Sequence, residues 1–156
     1  MALDPTGRES NFRDSVKKYF VDSLQTTEGI QVTFDVSLSV PTLQGTAVDR
    51  WYAIGFGALN MEALSSFAVN IFCCTRRDAE GFKLAQLRDT AYEYLIDEDQ
   101  TDGMARITFY RSRAVGAWTN IGGIVVSEVI ESGQMEAPDE TKYKILTAIM
   151  RFGSKV

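Results

Sequence analysis

Not one histidine occurs among the 156 residues of this sequence. That absence removes the commonest general base, the usual metal-ligating side chain and every Ser-His or Cys-His catalytic pairing. Cysteine is scarce as well, and the two present, Cys73 and Cys74, are neighbours. Consecutive residues of a strand point to opposite faces, so these two cannot form an ordinary structural disulfide with each other. Lacking Cys-x-x-Cys spacing and histidine, they make no zinc site and read as small buried hydrophobes. No apolar run approaches the roughly 18–20 residues of a membrane helix. The opening residues Met1-Ala2-Leu3-Asp4-Pro5 have neither a basic n-region nor an apolar h-region, so no secretion signal is expected. Basic charge is the minority: 16 Lys plus Arg against 21 Asp plus Glu give a net charge of −5. A protein that grips a phosphate backbone normally carries a basic face, so specific nucleic-acid binding is disfavoured. The same charge suits a protein that must not stick to DNA, should DNA pass nearby.

What is present has ordinary globular proportions, 45% hydrophobic and 24% charged. The chain reads as a loose polar arm over residues 1–9 and a single domain over residues 10–156. Ser10 is a plausible N-cap for a helix over about 11–25. Its apolar face is Phe12, Val16, Tyr19, Phe20 and Leu24, and Gly29 closes the segment. Ile30, Val32, Phe34, Val36, Leu38 and Val40 then alternate with polar residues, which predicts a long strand ended by Pro41. After a polar loop, Trp51–Leu59 predicts a second strand whose glycines suggest a bulge or a close backbone approach. The near-continuous apolarity of Phe67–Thr75 predicts a third, in a central position.

Asp78 is read as the start of a second helix running to about Leu95, with Phe82, Leu84, Ala85, Leu87, Arg88, Ala91, Tyr92, Tyr94 and Leu95 as its broad apolar or aromatic stripe, followed by the acidic stretch Asp97–Gly103. Three more strands are expected over Ala105–Ser112, Gly123–Ile130 and Lys142–Phe152, separated by loops at Arg113–Gly122 and Glu131–Glu140. The order α-β-β-β-α-β-β-β places the fold in the α+β class. It predicts a mainly antiparallel, curled sheet of about six strands with two helices packed on it.

Motif by motif, no active site emerges. Gly55-Phe56-Gly57-Ala58-Leu59-Asn60 begins like a dinucleotide fingerprint but lacks its third glycine and a βαβ unit. No phosphate-binding P-loop occurs. Counted from Asp97, a calcium loop would need Gly where Asp102 stands and Glu where Thr108 stands, so a solvated turn is expected. Nothing in the sequence brings the acids Asp35, Glu62 and Glu128 into one cleft, so paired-carboxylate chemistry is unsupported. Trp51 reads as a core anchor. Trp118, in a glycine-flanked loop, reads as an interface anchor.

The helix Asn11–Gln25, the long strand Ile30–Val40, the strand-to-helix passage Phe67–Leu95 and the closing strand Thr141–Phe152 follow one another in a familiar order. In that order and in size the chain resembles the tail terminator (tail completion) proteins of long-tailed bacteriophages, the lambda-like tail terminator family. The resemblance implies a structural virion protein and not an enzyme, with no cofactor and no metal. It implies a homohexameric ring, made in the host cytoplasm, that sits at the head-proximal end of the tail. Its partners would be the tail-tube protein and a head-completion protein, with no membrane contact and with DNA passing through the ring. Arg50, Arg111, Arg113, Trp118 and Asn120 are the candidate residues for a subunit or tube interface. Two alternatives stay open: another head-to-tail ring component, such as a head-closure or tube protein, and a small ligand-binding or enzymatic domain with a pocket under the Arg113–Gly122 loop.

Overall fold

In the computed structural model the described residues are 9–34, 42–43, 46–47, 49–60, 65–78, 80–101, 103–111, 119–137 and 141–154. The chain opens with helix α1 (Glu9–Phe20), which passes directly into a π-helical segment, Val21–Thr27. Ser10 therefore lies inside the first turn of α1, not in front of it. The π-segment has a packing reason. Phe12, Val16, Phe20 and Leu24 are all fully buried and recur every four residues. At 3.6 residues per turn such a series drifts around the helix, and the wider π-turn brings Leu24 back over the core. The hydroxyls of Ser23 and Thr27 donate to the carbonyls of Tyr19 and Asp22, supporting the widened turns. Gly29, at φ 70°, closes the segment through its N–H to the Gln25 carbonyl.

The main sheet contains β1 (Gln31–Phe34), β4 (Arg50–Asn60), β5 (Ser65–Thr75), β6 (Arg106–Arg111), β7 (Thr119–Glu131) and β9 (Lys142–Ser154), in the spatial order β1-β4-β5-β9-β7-β6. A short strand β8 (Met135–Glu136) joins β9 in the stretch beyond β7, and β2 (Thr42–Leu43) with β3 (Thr46–Ala47) forms a separate hairpin. The α+β class and the curled sheet agree with the sequence reading. The sheet is mixed, however: β1 runs parallel to β4, with Val32 opposite Tyr52. A parallel pair needs a return crossover of about a dozen residues, and the chain between Phe34 and Arg50 supplies it. Of the long strand expected over Ile30–Val40, the part after Phe34 lies outside the described residues.

The expected bulge is present, since the β4–β5 register shifts between Phe56 and Leu59. A Cβ at Gly57 would stand 3.2 Å from that of Ala68, so this glycine allows a close approach of the two strands. β5 is central, between β4 and β9. Cys73 faces the helices and Cys74 the other side; both are buried and neither is in a disulfide, and burial pushes the Cys73 thiol up. Helix α2 (Phe82–Glu93) begins later than expected. Asp78 nevertheless caps it from outside, accepting the N–H groups of Lys83 (3.2 Å) and Leu84 (2.9 Å) and the Thr75 hydroxyl (3.1 Å). Gly81, at φ 76°, makes the turn that carries the chain from Asp78 into the helix.

Both helices lie on one face of the sheet. The Phe12 ring of α1 stacks on Phe67 (5.0 Å between centroids) and meets Phe152 (4.5 Å) and Phe56 (6.5 Å). From α2, Leu84, Leu87 and Ala91 enter the same core, and the Leu87 carbonyl accepts the buried Tyr52 hydroxyl at 2.6 Å. After α2 the acidic stretch is a turn. Asp97 donates its N–H to Gly103 and accepts that of Asp99 on its carboxylate, below an Ile96–Met104 bridge. Among the described residues no helix is long and apolar enough to cross a membrane.

Candidate functional site

Of the five candidate interface residues, the three among the described residues do not form one patch. Arg50 is exposed at the start of β4, opposite Thr75, and Thr75 in turn lies opposite Lys142 at the start of β9. Asn120 is exposed near the start of β7, two residues before Gly122, which pairs with Ser154 at the other end of β9. Its side-chain carbonyl accepts the Gly122 N–H. Arg111 ends β6 opposite Thr119, on the same side of the molecule as Asn120. Arg50 therefore sits at the opposite end of the sheet from Arg111 and Asn120. Arg113 and Trp118 lie outside the described residues. Trp51 is fully buried, as expected, and its indole N–H has no hydrogen-bond partner among the described residues.

The sheet has a second face, away from the helices. Among the described residues no helix packs on it. Its central strands present Ala68, Phe72, Ile145 and Ile149, all half-buried, with Phe72 and Tyr143 in ring contact at 6.4 Å. Ile130 of β7 extends this face and is 52% exposed. Polar pairs interrupt the apolar row: the Thr147 hydroxyl donates to Asn70 at 2.8 Å, and Ser127 to the Ile149 carbonyl at 2.9 Å.

A concave feature lies on the other side, where α1 and the π-segment run past β6. It is a cleft of about 500 Å³ with Tyr19, Tyr94 and Tyr110 in its wall. The Tyr19 hydroxyl donates to the Tyr94 carbonyl, and the Tyr94 hydroxyl donates to Glu28 at 2.7 Å. The Glu28 carboxylate, followed by partial burial, pushes the Tyr94 phenol up to about 12, so it stays protonated as a donor. Burial and then the nearby Asp97 raise Tyr19 in the same direction. Lys18 and Asp22 pair at the rim at 2.7 Å. Sequence reading assigned Tyr19 and Tyr94 to the apolar stripes of two helices. The signal for a different role was a hydroxyl on the margin of each stripe, where an aromatic body packs and its polar tip stays wet.

No family model and no curated protein sequence matches the chain. Among solved structures, one superposes with a TM-score of 0.55 over 96% of each chain, at 8% sequence identity. At that identity the likeness concerns the fold alone.

Proposed function

We propose that this chain is a structural, ring-forming subunit of a long-tailed phage tail, the tail terminator that caps the tube and offers the head-joining surface. The observation that carries the reading is the sheet face on which no described helix packs, with its half-buried apolar row and exposed Ile130. A ring subunit must hold two different patches that meet head to tail and close. That face, with the candidate Arg50 at one end of the sheet and Arg111 and Asn120 at the other, offers separated surfaces of that kind. The order of elements and the histidine-free composition fit a task that needs contacts and no chemistry. In this reading the ring takes the tail-tube protein on one side and a head-completion protein on the other.

Replacing Trp118 with Ala tests the loop assignment. The expected result is loss of the assembled species at concentrations where the unsubstituted chain assembles, with the monomer's melting temperature moved by no more than about 2 °C. A large fall in melting temperature would place Trp118 in the core and remove it from the interface.

A further inference from the structure

The cleft beside β6 has features of a site for another polypeptide. β6 is an edge strand of the main sheet. The Val126 N–H donates to the Ala105 carbonyl at 3.1 Å, and the register then runs in step to Phe109 opposite Gly122. In an antiparallel ladder alternate residues aim both backbone groups at the partner strand. Ala105, Ile107 and Phe109 thus face β7, while Arg106, Thr108 and Tyr110 direct N–H and C=O outward. Helix α1 occupies one outward position: the Ser15 hydroxyl accepts the Tyr110 N–H at 2.8 Å and lies 3.3 Å from the Tyr110 carbonyl. Thr108 lines the cleft, where α1 has given way to the π-segment and its residues Asp22, Ser23 and Thr27. The π-helix is rare, occurs mostly as single-turn bulges, and is frequent at functional sites. Here one lines the cleft facing the edge strand β6.

Charge narrows the class of occupant. The Lys18–Asp22 pair is balanced, but Glu28 on Tyr94 and Asp97 beside Tyr19 add two carboxylates to the same neighbourhood. We propose that this cleft receives an extended, basic segment of a partner polypeptide, which pairs its main chain with Thr108 and sets a Lys or Arg side chain against the Glu28 and Asp97 side. Strand addition at an open edge draws affinity from main-chain hydrogen bonds and specificity from the pocket beside it. The inference stands apart from the ring reading: a chain that binds such a segment and forms no ring keeps this site and loses that function.

The test is a titration of the isotope-labelled full chain, followed by amide resonances, with the capped peptide Thr-Val-Arg-Val-Thr-Val and with its Arg-to-Glu counterpart. Saturable shifts are expected at Thr108, over Ser15–Thr27 and at Tyr94, with a Kd of about 1 mM or tighter. The Glu peptide should bind roughly tenfold more weakly. Thr108→Pro removes an outward N–H and no ladder bond, which an edge strand tolerates, and it should weaken binding about tenfold. Should that variant fail to fold, Glu28→Gln combined with Asp97→Asn must abolish the preference for the Arg peptide. Absence of saturable shifts, or unchanged binding by the Thr108→Pro variant, overturns the proposal. The same shifts arising from protein concentration alone overturn it too, and make the cleft a contact between copies of this chain.

Discussion

Replacing Phe12 with Ala is expected to destabilise the fold by about 4 kcal/mol, the range for deleting a fully buried phenylalanine. The ring is 0% exposed and meets Phe56, Phe67 and Phe152, side chains from three different strands. Its loss removes the transfer free energy, leaves a cavity under α1, and breaks aromatic contacts worth about 0.5–1.5 kcal/mol beyond burial. Against a total stability of about 5–15 kcal/mol for a domain, this is about a quarter or more. The melting temperature should fall by about 10 °C, measured by calorimetry or far-ultraviolet dichroism. Phe12→Leu keeps most of the volume and should lose less than half as much. A change below about 2 °C for the Ala variant would mean that α1 is not docked as described.

The second large effect concerns Asp78. Its carboxylate caps α2 through Lys83 and Leu84 and holds the buried Thr75 hydroxyl. Asp78→Ala removes the cap and leaves those donors without their acceptor, an expected loss of about 2–3 kcal/mol. Burial alone would raise this carboxyl. The N–H groups of Leu84 and Lys83, the Thr75 hydroxyl and the nearby Lys142 outweigh it, and hold Asp78 below the ordinary carboxylate value. The sign follows from that direction. With the folded pKa below the unfolded one, the contribution is complete above the unfolded value of about 3.9 and disappears as pH falls through the folded value. Denaturant titrations should therefore show the native chain losing stability below about pH 4. The Asp78→Asn variant should start lower at neutral pH and fall less steeply there. Parallel curves for the two would show that Asp78 titrates no differently in the folded chain.

Much of the architecture was legible because it rests on periodicity. The every-other-residue pattern of β1, the apolar run of β5 and the amphipathic α1 each follow from side chains that must leave water on one face. The parallel pairing of β1 with β4 was not legible, because consecutive strands in sequence suggest hairpins and pattern alone does not give direction. The π-segment was hidden for a related reason: a four-residue apolar repeat fits a helix of either pitch until the packing decides. Asp78 was recognised as a helix-start residue, but its action across the intervening Gly81 turn depends on a bend that sequence does not specify. Strands β2, β3 and β8 contain two residues each and are too short to leave a pattern.

The candidate site was less legible than the fold. Arg50, Arg111 and Asn120 were grouped by residue type and local position, and the register places Arg50 at the far end of the sheet from the other two. The cleft at β6 joins residues from the π-segment, the end of α2 and an edge strand. No local sequence signal can assemble three such distant stretches.

The ring reading is tested most directly by light scattering on the size-exclusion peak over a range of concentrations, with negative-stain images of the largest species. Six times 17.4 kDa is about 104 kDa. A concentration-dependent species of that mass, seen as closed rings, is the predicted result. A monomer at every concentration that also fails to assemble on tail tubes would contradict it.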